Sequence, residues 1–192
     1  MNKLCKTEQS AARQRELEKQ LVVLMNSRRY EEITVSDFCN HAGIPRKAFY
    51  RYFSSKDGAL YALIDHTMLE YEGFTEPYER GESRTLVKDM ESFFLFWKHR
   101  KDVLDALQYS GLSGILIERA IEFVRNGSLL SRLLPKESPK VQEKVVQLGV
   151  SGLMIMVTTW HHEGYPDTPR EMAELALRLV SQPLFPKLEI LI

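Results

Sequence analysis

Apolar residues recur every three or four positions along most of this 192-residue chain, the period of helices with one buried face. Leu17, Leu21, Leu24 and Met25 mark the stripe of a first helix, from about Thr7 to about Ser27. The segment NSRRYEEI breaks it. Thr34, with Asp37 three residues on, has the spacing of a capping box and opens a second helix. That helix stops at Ala42, Gly43, Ile44 and Pro45. Gly43 suits a left-handed turn and Pro45 the first turn of another helix, a short one from about Pro45 to Phe53. Ser54 with Asp57 repeats the cap spacing and predicts a long helix through Leu60, Leu63, Ile64 and Met68 to about Glu72.

Past a linker-like stretch, FTEPYERGESR, helical patterns resume over Leu86–His99, Asp102–Tyr109 and Leu112–Arg125. The turn-prone LPKESP precedes Pro139–Glu163, whose middle, VVQLGVSGLMIMVTTW, is apolar nearly all round. GYPDTP breaks the chain again. Thr168 as cap, Pro169 as first helical residue and Glu171 as box partner then open a last helix to about Ser181. Strand-like alternation, internal repeats and low-complexity tracts are absent. The expectation is an all-α protein of about nine helices, enough chain to bury a substantial core.

Composition changes this picture little, but charge distribution does. Charged residues are 27% and hydrophobic ones 44%, with a formal net charge of zero. Residues 1–60 carry five Lys and six Arg against seven acidic groups, a balance of +4, and residues 61–192 a balance of −4. The front is the half suited to an anion. Cys5 and Cys39 are too few for a disulfide framework or a zinc cage. No apolar stretch has bilayer-spanning length, and the N-terminal segment lacks the apolar run of a signal peptide, so a reduced, cytoplasmic protein is expected.

Two short helices joined through Ala42 to Pro45 have the length and turn chemistry of a helix-turn-helix. Val35, Phe38, Cys39 and Ala42 share one side of the first, and Ile44, Phe49 and Phe53 can meet them from the second. Arg46, Lys47, Tyr50 and Arg51 are then left pointing away. In such a motif the second helix enters the major groove, N-terminal residues nearest the base edges. Arg46 and Lys47 carry donors suited to guanine O6 and N7. Thr34, Tyr50, Tyr52 and Lys56 suit phosphate oxygens, which fix register without reading sequence. The spacing leaves two alternatives open: a solvated basic face on an ordinary helical hairpin, and packing roles for Tyr50 and Tyr52.

The run ITVSDFCNHAGIPRKAFYRYFSSKDGALYALI, Ile33 to Ile64, resembles the tetracycline-repressor (TetR) family of bacterial transcriptional regulators. The family pattern has Ile/Thr/Val at the start, Ala-Gly-Val/Ile in the turn, Phe-Tyr-x-x-Phe in the recognition helix, then Ser-Lys-Asp/Glu. All four blocks occur here in order, over about a quarter of the chain, and WHHEGYPDTPREMAELA is similar to the family's last-helix junction. The resemblance implies a DNA-binding domain over residues 1–53 and a ligand-binding and dimerisation domain over 54–192. It implies backbone contacts from Thr34, Tyr50, Tyr52 and Lys56 and base contacts from Arg46 and Lys47. Three positions depart from the pattern: Pro45 for a usual Ser or Thr, Lys47 for a small residue, and Ala48 for Thr.

It also implies a homodimer, through about Pro139–Glu163 and Thr168–Ser181, that binds a palindromic operator as a ligand-responsive repressor. Activators and protein-partnering adaptors also occur on this fold. The residues themselves support close helix approach at Gly149 and Gly152, although a central helix of a monomer core reads the same way. For an unidentified small-molecule effector, Tyr71, Phe74, Met90, Phe94, Trp97, Tyr109, Phe123, Met154 and Trp160 are the candidate pocket. The alternative for each is ordinary core, and the run Phe93–Trp97 cannot all face one side. His99, His161 and His162 are candidate polar contacts.

No nucleotide-binding glycine loop, HExxH, GxSxG or cysteine-ligand pair is present, so neither an enzyme nor a cofactor or metal protein is expected. His161, His162 and Glu163 are poorly spaced as ligands on one helix end. Cys39 reads either as a redox sensor or as a small buried hydrophobe.

Overall fold

The computed structural model describes residues 7–75, 85–127 and 137–181. Within them run nine α-helices and one 3-10 turn, with no strand among the described residues. The helices are α1 (Glu8–Met25), α2 (Val35–His41), α3 (Arg46–Tyr52), α4 (Lys56–Thr75), α5 (Leu86–His99), α6 (Lys101–Tyr109), α7 (Ser113–Asn126), α8 (Pro139–His162) and α9 (Pro169–Ser181). The turn is Tyr30–Glu32, between α1 and α2. The all-α expectation holds, and no described helix is long and apolar enough to cross a membrane. Cys5, Tyr78 and most of the two predicted linkers lie outside the described residues.

Helix starts follow the expected chemistry, with one shift. Thr34 and Asp37 form a full capping box, as do Thr168 and Glu171. At α4 the expected Ser54–Asp57 box does not form. Ser55 caps instead, accepting from the Gly58 N–H at 2.9 Å. Asp57 is drawn to a tertiary partner, the Tyr30 hydroxyl, which donates to it at 2.7 Å. Pro45 likewise sits one residue earlier than expected, as the N-cap of α3 with extended backbone (ψ 150°).

Three helix ends share one device. The amide of the second residue past the cap reaches back five residues, while a left-handed glycine precedes it. This joins Ile44 to the Cys39 carbonyl across Gly43, Leu112 to Leu107 across Gly111, and Tyr165 to Trp160 across Gly164. The motif turns the chain sharply and so brings α3 back on α2 and α7 back on α6, whereas after α8 it delivers α9 to α5.

One continuous hydrophobic core takes side chains from the N-terminal helices and the rear helices alike. Helix α4 crosses between them. Its His66 pairs with Glu18 of α1 at 2.7 Å, both side chains buried. Its Asp65 accepts from Arg119 of α7, and its Glu70 from Arg100 at the α5–α6 junction. One buried histidine–carboxyl hydrogen bond and two ion pairs hold α4 to three different neighbours, so its tilt is coupled to all of them.

Candidate nucleic-acid interface

Helices α2 and α3 are only seven residues each, too short to persist without packing. An aromatic cluster supplies it. Phe38 meets Phe49 edge to face at 5.4 Å and Phe53 at 6.3 Å. All three are at most 2% exposed. Cys39 lies in the same core, where burial pushes its thiol up from the ordinary value and away from the reactive thiolate. Val35, Ala42 and Ile44 complete the contact.

With Phe49 and Phe53 turned inward, helical geometry turns Arg46, Lys47, Tyr50 and Arg51 outward on one arc of α3. All four are exposed. The Arg46 guanidinium is held across the motif: it donates to the Ser36 hydroxyl at 3.1 Å and reaches the Tyr50 hydroxyl at 3.4 Å. The Tyr50 contact favours the charged guanidinium, and the pair orders a long side chain that otherwise pays rotamer entropy on binding. Ser36 has no special signal in the sequence; only the fold places it beside Arg46.

The other expected contact residues are more committed. The Thr34 hydroxyl donates to Asp37 at 2.6 Å and accepts from the Asp37 amide at 3.1 Å, closing the cap of α2. These bonds hold the Asp37 carboxyl below the usual aspartate range, with Arg28 assisting at 3.4 Å. Tyr52 is half-buried and packs on the core beside Phe53. Lys56 is half-buried as well. Its ammonium donates to the Tyr30 carbonyl at 2.8 Å and lies 4.2 Å from the centre of the Tyr30 ring. Arg46, Lys47, Tyr50 and Arg51 therefore form one exposed group, with Thr34, Tyr52 and Lys56 around it in partly structural roles.

The candidate effector residues divide differently. Phe94, Trp97, Met154 and Trp160 are at most 1% exposed, with Phe94 and Trp160 edge to face at 5.7 Å. Tyr71 and Phe74 pack on Phe96 at 5.3 and 5.6 Å, and Met90 and Phe123 lie against the same core. Tyr109 does not join them. It is 53% exposed and lines an open polar cleft of about 610 Å³ with Asn26, Asp105, Gln108, His161 and His162. In that cleft the polar groups largely satisfy one another. His161 meets the Tyr165 hydroxyl at 2.7 Å and Asp105 at 3.0 Å, while His162 pairs with Gln108. Burial, with Asp105 behind it, pushes the Tyr165 phenol up to about 12. The cleft was not legible in the sequence, because its lining comes from three distant segments. His99 lies apart, its ring beside Phe74. No group of three or more metal-ligating side chains occurs among the described residues.

Residues 22–63 match the family model described as bacterial regulatory proteins, tetR family. Over 75 residues the chain is 32% identical to the HTH-type transcriptional regulator EthR of Mycolicibacterium smegmatis, covering 37% of this chain and 35% of that regulator. The match thus spans about a third of the curated relative's length. Among solved structures, Lin0861 from Listeria innocua superposes with a TM-score of 0.67 at 14% identity, covering 94% of this chain and 96% of that one. The TetR family repressor AlkX from Dietzia gives 0.55 at 17% identity, over 86% and 91%. These likenesses in fold cover most of the chain at low sequence identity. Residues 22–63 are thus similar to the tetR family of bacterial regulatory proteins, and the fold to that of these solved structures.

Proposed function

We propose that this protein is a DNA-binding transcriptional regulator of the cytoplasm, acting as a homodimer on a palindromic operator and released by a small-molecule effector. The observation that carries DNA binding is the exposed Arg46, Lys47, Tyr50 and Arg51 arc on a helix whose other side is locked by Phe38, Phe49 and Phe53. A cationic arc on a rigid support can enter the major groove without first being ordered. Arg46 and Lys47 read base edges, while Tyr50, Arg51, Tyr52, Thr34 and Lys56 fix the backbone register. Residues 1–53 form the reading unit and 54–192 the responding one.

The homodimer is supported by an unpartnered stripe. Val141, Val145, Leu148 and Ile155 lie on one side of α8, and Leu148 is 76% exposed. Gly149 and Gly152 sit on the same side with open space around them, which permits close backbone approach. Leu179 and Val180 extend the exposed apolar surface onto α9. Isologous contact of this surface pairs two readers, as an operator with half-sites one helical turn apart requires.

An effector acts by binding one reader geometry better than the other. Helix α4 suits the transmission, since it carries Lys56 at one end and is tied to α1, α7 and the α5–α6 junction along its length. The largely aromatic, apolar group of Tyr71, Phe74, Phe94, Trp97, Phe123 and Trp160, with Met90 and Met154, is proposed to open around the effector. Selection of genomic fragments by the purified protein tests the reading. Enrichment of one palindrome, with affinity falling steeply as salt rises, is expected. Failure to enrich any sequence would favour a protein-partnering adaptor on the same fold.

A further inference from the structure

Three helices end at the polar cleft. Asn26 is the C-cap of α1, Asp105, Gln108 and Tyr109 close α6, and His161 and His162 are the last residues of α8. A helix C-terminus carries about half a negative charge, which ordinarily draws a cationic side chain into the last turn. Neither α1 nor α6 has a basic residue there, and α8 has only the two histidines. The cleft therefore gathers three partial negative ends and adds the Asp105 carboxylate to them.

Its walls are fixed before anything binds. The Asn26 amide donates to the Asp102 carbonyl at 3.1 Å, and the Ser110 hydroxyl accepts from the Tyr30 N–H at 3.0 Å, so the ends of α1 and α6 are held together. Asn26 uses an amide N–H on Asp102 and keeps its side-chain carbonyl oxygen. Gln108 uses an amide N–H on His162 Nδ1 and keeps its own carbonyl oxygen. Asp105 gives one oxygen to His161 Nε2 at 3.0 Å and keeps the other. The Tyr165 phenol, pushed up to about 12, retains its proton and donates it to His161 Nδ1. The His161 ring then brings no charge to offset Asp105. Three acceptor oxygens remain among the described residues, one of them anionic. Beside them stands Tyr109, one turn on from Asp105 along the same face of α6 and 53% exposed.

The surroundings favour a cation, and the side chains decide which kind. A metal ion is poorly served, because no group of three or more metal-ligating side chains occurs among the described residues. A primary ammonium carries three N–H donors, and an aromatic ring is a favourable neighbour for it and for its alkyl stem. We propose that this cleft binds a small aliphatic primary amine in its ammonium form, with Asp105 as counter-ion and Tyr109 as the flanking ring. The site lies apart from the apolar group proposed for the effector. It goes beyond the DNA-binding reading and does not rest on it.

The test titrates the full-length protein at pH 8 with n-butylammonium chloride and follows the ring protons of His161 and His162 by NMR. Sodium chloride at equal ionic strength and n-butanol, which lacks the charge, are the controls. Saturable shifts are expected with the ammonium and with neither control. Asp105→Asn removes the charged acceptor and should weaken binding about tenfold. Tyr109→Leu, at an exposed position that spares the core, should weaken it about threefold. If n-butanol shifts the rings as strongly, the cleft does not select a cation and the inference is wrong. It is equally wrong if the ammonium gives no saturable shift, or if both variants bind it as the parent does. Should Asp105→Asn fail to fold, Tyr109→Leu and the two controls decide the matter alone.

Discussion

The rings of Phe38 and Phe49 meet edge to face, 70° between planes, and through them α2 fixes the angle at which α3 leaves the turn. Truncating either ring opens a cavity in a two-helix unit that has little else to hold it. Phe49→Ala should cost about 3–5 kcal/mol in urea unfolding. Operator binding should fall with it, even at temperatures where the rear helices stay folded by circular dichroism. Unchanged binding would show that the aromatic contact does not set the reader.

Arg46 and Lys56 are expected to fail differently. Arg46→Ala should flatten base preference at one position of each half-site by about tenfold, with other positions unaffected. Lys56→Ala should weaken all sequences alike and make the salt dependence shallower by about one ion. Because Lys56 also holds the Tyr30 carbonyl, a lower melting temperature should accompany the second change only. Binding curves across salt concentrations on the enriched operator and its single-base variants separate the two.

Leu148 is the most exposed side chain of the α8 stripe. Leu148→Glu places a charge at the centre of the proposed dimer face and touches no core residue. The variant should sediment as a monomer with parental helix content and lose operator affinity. A variant that remains dimeric would move the interface elsewhere.

Two carboxylates give opposite pH dependence. Burial raises Glu18 above the usual glutamate range, against the opposing pull of His66 and Arg15, with Glu70 adding to the rise. The native state therefore holds that proton to higher pH than the unfolded chain does. Its stabilising effect is complete below the ordinary glutamate value and is lost as pH rises through the raised one. Asp37 lies below the ordinary range, chiefly through the Thr34 hydroxyl, so its contribution is present above that range and lost as pH falls through the lowered value. Melting curves across the acid range should show Glu18→Gln flattening the first slope and Asp37→Asn the second. If neither slope changes, other groups govern acid unfolding.

Much of the fold was set by the chain's own local chemistry. The helix periods, the capping boxes at Thr34 and Thr168, and the Gly43 turn follow from interactions within a few residues, and these a sequence displays. The outward cationic arc of α3 followed too, since fixing Phe49 and Phe53 inside leaves Arg46, Lys47, Tyr50 and Arg51 no other direction. What needed the tertiary structure was every choice between partners far apart in the chain. Asp57 had a local cap spacing, yet a buried tyrosine hydroxyl 27 residues away took its carboxylate and left the cap to Ser55. Lys56, Ser36, Asn26 and Ser110 gained their partners the same way. Spacing along a helix says which side chains share a face; which distant atom waits opposite that face is decided only when the helices pack.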